Sequence, residues 1–484
     1  MAICLIPLFI LTGFIIPAGL LAQSTIQWEQ TYGGSGMDRG HSAQQTTDGG
    51  YIVAGYTASY GAGVEDVWLI KTDSLGDTLW TRTYGGSSCD EGFSVQQTAD
   101  GGYIVTGFTT SYGGSDADLW LIKTDSIGDT LWTMVYNSGG SYEKGKCVRQ
   151  TADGGYVITG AFGAGTGCTD VWLVKTDSSG NVLWTNSWGT IYYESGSSVE
   201  QTADGGYIIT GTKGITAGQN DIWLIKTDSL GDTLWTKTYG GSGNDCGNSV
   251  QQTPDGGYII NGIFSGCDVY LIRTDASGDT LWTRTYGGTD TDYGWSVDQT
   301  ADNGYVMAGY TWSFAGYPQI YVIRTDSSGD TLWTMVHDSA GSYGWFIEQT
   351  ADSGYIVAGY TGGYQTDVLL MKLTDDGVGI QDPSGNQPQV ANYELCRIYP
   401  NPFNDMTNIR FSTTGQSTEN IELEIYDVSG RVIKEFSLQS EICGWQSVNW
   451  NGTDQLDRPV PPGIYYVHLT TPDECFTRQM TLLR

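Results

Sequence analysis

FSVQQTADGGYIVTGFTTSYGGSDADLWLIKTDSIGDTLWTMVY, residues 93–136, decides the fold. FSVQQT (93–98) predicts a short strand, and TADGG supplies the Asp-Gly of a tight hairpin. YIVTGFT (103–109) alternates apolar with polar or small residues, the pattern of a half-buried strand. After a variable loop, DLWLIKTD (118–125) predicts a third strand, SIGD a turn and TLWTMVY (130–136) a fourth. Glycine at the third turn position takes a positive φ at low cost, which suits a three-residue hairpin loop.

The unit recurs. Trp28, Trp80, Trp132, Trp184, Trp235, Trp282 and Trp333 follow one another at intervals of 52, 52, 52, 51, 47 and 51 residues. A Gly-Tyr marker appears seven times, at Tyr51, Tyr103, Tyr156, Tyr207, Tyr258, Tyr305 and Tyr355. The run typified by DVWLIKTD (66–73) also appears seven times, ending with DVLLMKLTD (367–375). Four strands per ~50-residue unit, seven times over, predict an all-β, seven-bladed β-propeller of four-stranded blades. Helical solenoids are excluded, because no segment sustains a 3.6-residue apolar period. The seventh unit stops near Asp376 without a fourth strand, and IQWEQTYGG (26–34) is a fourth strand without the other three. The N-terminal strand is therefore expected to complete the last blade, closing the ring over residues 24–376 with no open sheet edge.

Composition narrows the partners. Of 484 residues, 54 are acidic and 22 basic, a formal net charge of −32, which repels nucleic acid and anionic membrane surfaces. The 17 Trp, 31 Tyr and 12 Phe are too many for a disordered acidic chain. Residues 1–22 carry no charge and end in small residues, so they read as a secretory signal peptide cleaved after Ala22, although no Lys or Arg precedes the apolar run. Nine cysteines, less Cys4 in that leader, leave an even number that permits disulfides in an exported protein. Cys147 with Cys168 and Cys246 with Cys267 each fall within one repeat, and Cys443 and Cys475 are candidate partners in the tail. There is no CxxC, and His41, His337 and His468 are scattered, so a metal centre has little support.

The repeat TYGGSxxDxG…QTxDGGYIxxGxT…DxWLIKTDxxGDTLW resembles bacterial seven-bladed β-propeller repeats of secreted proteins. That resemblance implies a scaffold rather than a reaction. Residues 377–394 lose the repeat and read as a linker rich in Gly, Pro, Asn and Gln. Residues 395–484 alternate again in about seven short strands, which indicates a small immunoglobulin-like β-sandwich. YPNPFN (399–404), IYDVSGRVIK (425–434), WNGTD (450–454), VPPGIYYVHL (460–469) and TLLR (481–484) resemble the C-terminal sorting domain of the type IX secretion system. This implies passage across an outer membrane, with release or attachment at the cell surface, and contact with the secretion machinery.

Catalytic signatures are absent from the sequence: it contains no HExxH, no GxSxG and no Walker loop. KTDSLGDTLW (71–80) misses by one residue both the docking turn of quinone-cofactor propellers and the Asp-box turn of sialidases. Asp73 is expected to cap its own hairpin and Trp80 to pack between neighbouring sheets. Arg82, Arg284, Arg273 and Arg324 occupy repeat positions and read as surface strand residues. Arg39 and Arg149 alone stand outside the pattern, too few for a sialidase-type cluster.

One set of residues carries a ligand-binding hypothesis. The interblade loops place an acid two residues before Gly, at Asp38, Asp90, Glu143, Glu194, Asp245 and Asp292, with Ser342 in the seventh copy. These loops share a face with the variable loops between second and third strands, and variation gathered on one face of a fixed scaffold is how loops carry function. The functional reading is a binding face for glycan or protein, with exposed aromatics and carboxylates able to hold Ca²⁺. The structural reading is that each acid bonds amides of its own loop. First strands such as SVQQT, SVEQT and SVDQT are expected to line a polar, water-filled channel.

The chain is thus expected to be a monomeric, non-enzymatic adhesion or binding module outside the cell, without a cofactor other than calcium. The alternative is a secreted carbohydrate-active enzyme, a glycosidase or lyase with its acid and base on the loop face.

Overall fold

The computed structural model describes residues 26–374, except 115, 138, 140, 141, 164–167, 217, 266, 267, 338–340 and 364. Beyond these it describes 393–399, 406–413, 422–427, 431–436, 444–456, 458–470 and 475–483. The leader and nearly all of the expected linker lie outside the described residues. Contacts divide the chain into two units, Met1–Ile380 and Gln381–Arg484. Every described element is a β-strand.

The first unit holds seven four-stranded antiparallel sheets. The second is typical, with strands Asp90–Gln97, Tyr103–Thr109, Asp118–Thr124 and Thr130–Tyr136 in sequence order. The seventh takes its fourth strand from the N-terminus: Ile26–Tyr32 pairs antiparallel with Asp367–Leu373. Trp80 of one blade meets Tyr103 of the next edge-on, with ring centroids 5.8 Å apart. Trp28, on the borrowed strand, makes the same contact with Tyr51 of the first blade at 5.6 Å, and Trp333 makes it with Tyr355 at 5.8 Å. The seventh and first blades are also joined by Asp38 N–H to the Thr366 carbonyl (2.7 Å) and Ala351 N–H to Gln45 Oε1 (2.8 Å).

Burial follows from this stacking. All seven residues of Tyr103–Thr109 are buried, not half of them, because neighbouring sheets cover both faces of the strand. Its polar position is satisfied inside the sheet: the Thr106 hydroxyl donates to the Trp120 carbonyl at 3.2 Å. The third strand carries a buried cation toward the first hairpin, where Lys123 Nζ meets Asp100 at 2.9 Å. Arg273 and Arg324, expected on the surface, occupy this same buried position and pair with Asp255 and Asp302 at 2.5 and 2.6 Å. The second hairpin is a three-residue loop as expected, with Asp73 Oδ1 accepting from the Leu75 and Asp77 amides, both at 2.9 Å. Gly128 there has φ +82°, and a methyl on it would stand 2.8 Å from Trp80, so the turn also seats the interblade tryptophan.

Cys147 and Cys168, which fall within one repeat, are both free thiols, the first facing the Val199 carbonyl and the second the Ile191 carbonyl. Cys246 is free, while Cys267 lies outside the described residues.

The second unit has a three-stranded sheet of Tyr393–Tyr399, Thr407–Thr413 and Gly444–Trp450, and a four-stranded sheet of Val432–Phe436, Glu422–Asp427, Gly463–Thr470 and Cys475–Leu482. Ile409 and Trp450 from the first sheet share one core with Ile425, Val467, Leu469 and Met480 from the second. Trp450 of the WNGTD motif donates from Nε1 to the Thr453 carbonyl at 2.8 Å, so the motif closes on itself beneath that core. The first strand starts at Tyr393, inside the segment read as linker.

Candidate functional site

In the second blade the first strand begins at Asp90, three residues before the stretch read as strand, so the interblade acid opens the strand instead of decorating a loop. Asp38, Glu143 and Asp292 likewise open their strands, Glu194 and Asp245 lie one residue before theirs, and all six are 0% exposed. They bond their own surroundings. Asp90 accepts from the Gly86 amide (2.8 Å) and the Ser111 hydroxyl (2.6 Å), and also from Thr109. Asp38 repeats this with Gly34 and Ser59, and Asp292 with Gly288 and Ser313. Asp245 accepts from the Gly241 and Ser265 amides, and Glu194 from the Thr190 amide.

Six of the seven junctions bring a second carboxylate from the preceding blade; before the seventh, Gln319 and Ser342 stand in place of the two acids. A methyl on Gly85 would lie 1.9 Å from Asp66 Oδ1 and 2.7 Å from Asp90 Oδ2, so only glycine fits between the two acids. Burial raises the pKa of Asp118, Asp221, Asp268 and Asp367, and the facing Glu143, Asp245, Asp292 and Asp38 add to the effect. Among the described residues no group of three or more His, Cys, Asp or Glu is placed to hold a metal ion. The acids therefore tie loops together, and the aromatics that reach solvent on this face are Tyr60, Tyr112, Tyr142, Tyr193, Trp312 and Phe314, beside aliphatic Val64 and Ile191.

The first strands bring a different set together. Each neighbours the next, and that of the seventh blade neighbours that of the first, so they surround a central channel. All seven break register at the residue after the conserved-position glycine, as between Gly40 and Ser42 or Gly294 and Ser296. Such a bulge re-aims the extra side chain. In Asp38–Gln45 the residues at positions 39, 41 and 44 are half-buried, while 38, 40, 42 and 43 are buried. Three tiers of channel-facing residues result, one per blade in each tier.

The tiers are uneven. The tier nearest the loop face holds Arg39, Glu91, Lys144, Tyr293 and Tyr343; the bulge tier holds His41, Phe93, Lys146, Trp295 and Trp345; and the far tier holds Arg149, Glu200, Asp298 and Glu348 among glutamines. One side of the mouth is aromatic. Tyr343 stacks on Tyr360 (4.7 Å) and meets Tyr310 edge-on (4.7 Å), Trp295 lies against Trp345 (4.2 Å), and His41 touches Phe93 and Trp345 (both 5.3 Å). Burial and then Arg39 push the His41 pKa well down, so its ring is neutral. The Arg39 guanidinium stands 4.5 Å from the Tyr360 ring centre, and Lys144 Nζ stands 3.6 Å from that of Phe108.

Charge is polarised along the axis. The two tiers toward the loop face carry three cations against Glu91, whereas the far tier carries Arg149 against three acids. Burial raises Glu91 to about 7 despite Lys144, and lowers Lys146 to about 8. In the far tier burial, reinforced by Asp298, raises Glu348 to about 8. That tier also links blades: Gln97 N–H donates to Gln44 Oε1 (2.7 Å), Gln252 N–H to Glu200 Oε2 (2.6 Å) and Gln349 N–H to Asp298 Oδ2 (2.7 Å).

The channel was expected to be lined with Gln, Glu and Asp; its far tier fits, and its aromatic and cationic upper tiers were missed. The signal was present as D-x-G-y-S, in which x and y change from copy to copy between nearly fixed neighbours. Reading the acid and glycine as loop hid it.

Comparison with known proteins bears on the second unit most directly. Residues 397–482 match the family described as a secretion system C-terminal sorting domain. A type IX sorting tail of this kind implies secretion to the cell surface or the exterior, and interaction with the secretion machinery. No curated protein matches the chain. Among solved structures it is similar to PorZ, an essential surface component of the type IX secretion system of Porphyromonas gingivalis, at 13% identity and a TM-score of 0.42. That alignment covers 90% of this chain and 58% of PorZ, so the chain spans little more than half of that protein's length. Sqt1 from Chaetomium thermophilum aligns at 11% identity and TM-score 0.43, over 79% of this chain and 97% of Sqt1. The Pan2 WD40 domain of Neurospora crassa aligns at 10% and 0.41, over 72% of this chain and 99% of that domain.

Proposed function

We propose that the chain is an exported, closed seven-bladed propeller that binds a glycan or protein ligand at the cell surface, carried there by an immunoglobulin-like sorting domain. The signal peptide at 1–22, the propeller at 24–376, the linker and the sorting domain from 395 belong to this reading. The observation that carries it is the D-x-G-y-S variation: a repeat scaffold keeps its packing positions nearly constant while the side chains facing the mouth change from blade to blade, except that the sixth and seventh share Tyr and Trp. Packing alone gives no reason for such variation. Burial of the six loop acids moves the proposed contact from the acid ring to the channel mouth and the exposed loop aromatics, and calcium stays a condition to vary.

The test has two parts. In a host with type IX secretion, deleting residues 395–484 should leave a folded propeller in the periplasm, and normal secretion of the truncated chain would refute the sorting role. The purified mature chain, screened with and without calcium against arrayed glycans and host surface proteins, should retain a ligand that Tyr343→Ala weakens. Absence of any ligand, or indifference to that change, would end the binding reading.

A further inference from the structure

In a chain of net charge −32, cations are expected to be neutralised, and most in the propeller are. Lys71, Lys123, Lys175, Lys226, Lys372, Arg273 and Arg324 each meet the aspartate of a first hairpin, and Arg82, Lys237 and Arg284 meet one in the next blade. Among the described propeller residues Arg39, Lys144, Lys146, Arg149 and Lys213 lie in no ion pair; Lys213 stands over the Trp223 ring on a second strand, and the other four face the channel. The only acid in the tier at the mouth is Glu91, which lies between the blades of Arg39 and Lys144 and which burial keeps partly protonated near neutrality. Burial disfavours the charged forms of Lys144 and Lys146, and a bound anion would offset that desolvation cost.

Beside that charge stand flat aromatic faces with hydroxyls. Tyr310, Tyr343 and Tyr360 form a continuous wall, and Arg39 lies over the last of them. Tyr310 and Tyr343 are half-buried and so present part of their rings to the channel. A guanidinium braced on an aromatic face keeps its edge free for bidentate bonds to a carboxylate.

We infer that the channel mouth takes an acidic glycan, a sugar ring lying against the half-exposed Tyr310 and Tyr343 with its carboxylate held by Arg39, which Tyr360 braces, and Lys144. This rests on the binding reading above and adds the ligand class. An acidic peptide would satisfy the cations but leave the tyrosine wall without a ring to stack on it.

The experiment titrates the full mature chain with oligogalacturonate, a neutral galactan oligosaccharide, a sulfated galactan oligosaccharide and oligoglutamate. Oligogalacturonate should bind at least about tenfold more tightly than the neutral sugar, and about tenfold more weakly in Arg39→Gln and in Lys144→Gln. Arg82→Gln, whose cation pairs with Asp129 on an outer strand, should leave affinity unchanged. Without any substitution, raising NaCl from about 50 to about 300 mM should weaken the same binding. A preference for the sulfated sugar supports an anionic glycan and reassigns the anion to sulfate. Equal affinity for the neutral sugar, insensitivity to salt and to both substitutions, or binding of oligoglutamate alone would overturn the inference. A protein or neutral ligand captured at the mouth would sink the inference and leave the binding reading standing; capture of nothing would sink both.

Discussion

Ser353 has φ +68° at the turn position that glycine fills in five other copies, with φ between +80° and +86°. A side chain in the left-handed region costs about 1–2 kcal/mol, less what glycine loses in the unfolded chain. Ser353→Gly is therefore expected to stabilise the first unit by roughly 0.5–1 kcal/mol, read as a higher urea midpoint with an unchanged slope. Glu348 makes a second prediction at this scale. An unfolded glutamate titrates near about 4.3, whereas burial and Asp298 hold Glu348 at about 8. A raised carboxyl pKa gives stability that is complete below the unfolded value and lost as pH climbs through the folded one. The melting temperature should accordingly fall between about pH 5 and pH 8, and Glu348→Gln should remove much of that fall. A Glu348→Gln profile that still parallels the unsubstituted protein would place the titrating group elsewhere.

At the scale of the strand, the Trp–Tyr junction is the unit that joins blades. Trp132 meets Tyr156 across one ordinary junction at 5.9 Å, and Trp28 meets Tyr51 across the junction made by the N-terminal strand at 5.6 Å. Trp132→Ala should cost about 3 kcal/mol, the lower end for removing a large aromatic, since the ring is only half-buried. Trp28→Ala should cost a similar amount; a near-zero loss in chemical denaturation would mean the terminal strand adds nothing. Strand count, hairpin type and the borrowed strand were legible because each depends on local pattern and turn chemistry. Burial of the second strand was not, since alternation in YIVTGFT cannot reveal a neighbouring sheet that covers the polar face. Nor was the fate of Arg273 and Arg324, whose guanidinium groups are held inside by the aspartate of the first hairpin. The mouth was hidden by three residues: with Asp90, Glu91 and Gly92 read as loop, Glu91 had no channel to face and the bulge that re-aims Phe93 did not show.

The molecule as a whole is a repeated scaffold with an unrepeated centre. Its seven copies largely agree where sheets stack and mostly differ where first strands meet the channel, the sixth and seventh sharing Tyr and Trp there. Termini far apart in sequence are brought together, with Glu29 on the first strand meeting His337 of the sixth blade at 2.8 Å. The proposed closed ring would leave no sheet edge between first and last blades and would let all seven first strands define one mouth. The measurement that tests this most directly is thermal unfolding of a chain lacking residues 23–32, alone and with a synthetic peptide of residues 23–34 added back. Closure predicts a markedly lower melting temperature for the shortened chain and recovery when the peptide fills the vacant strand. A shortened chain that melts where the intact protein does, with no response to the peptide, would contradict it.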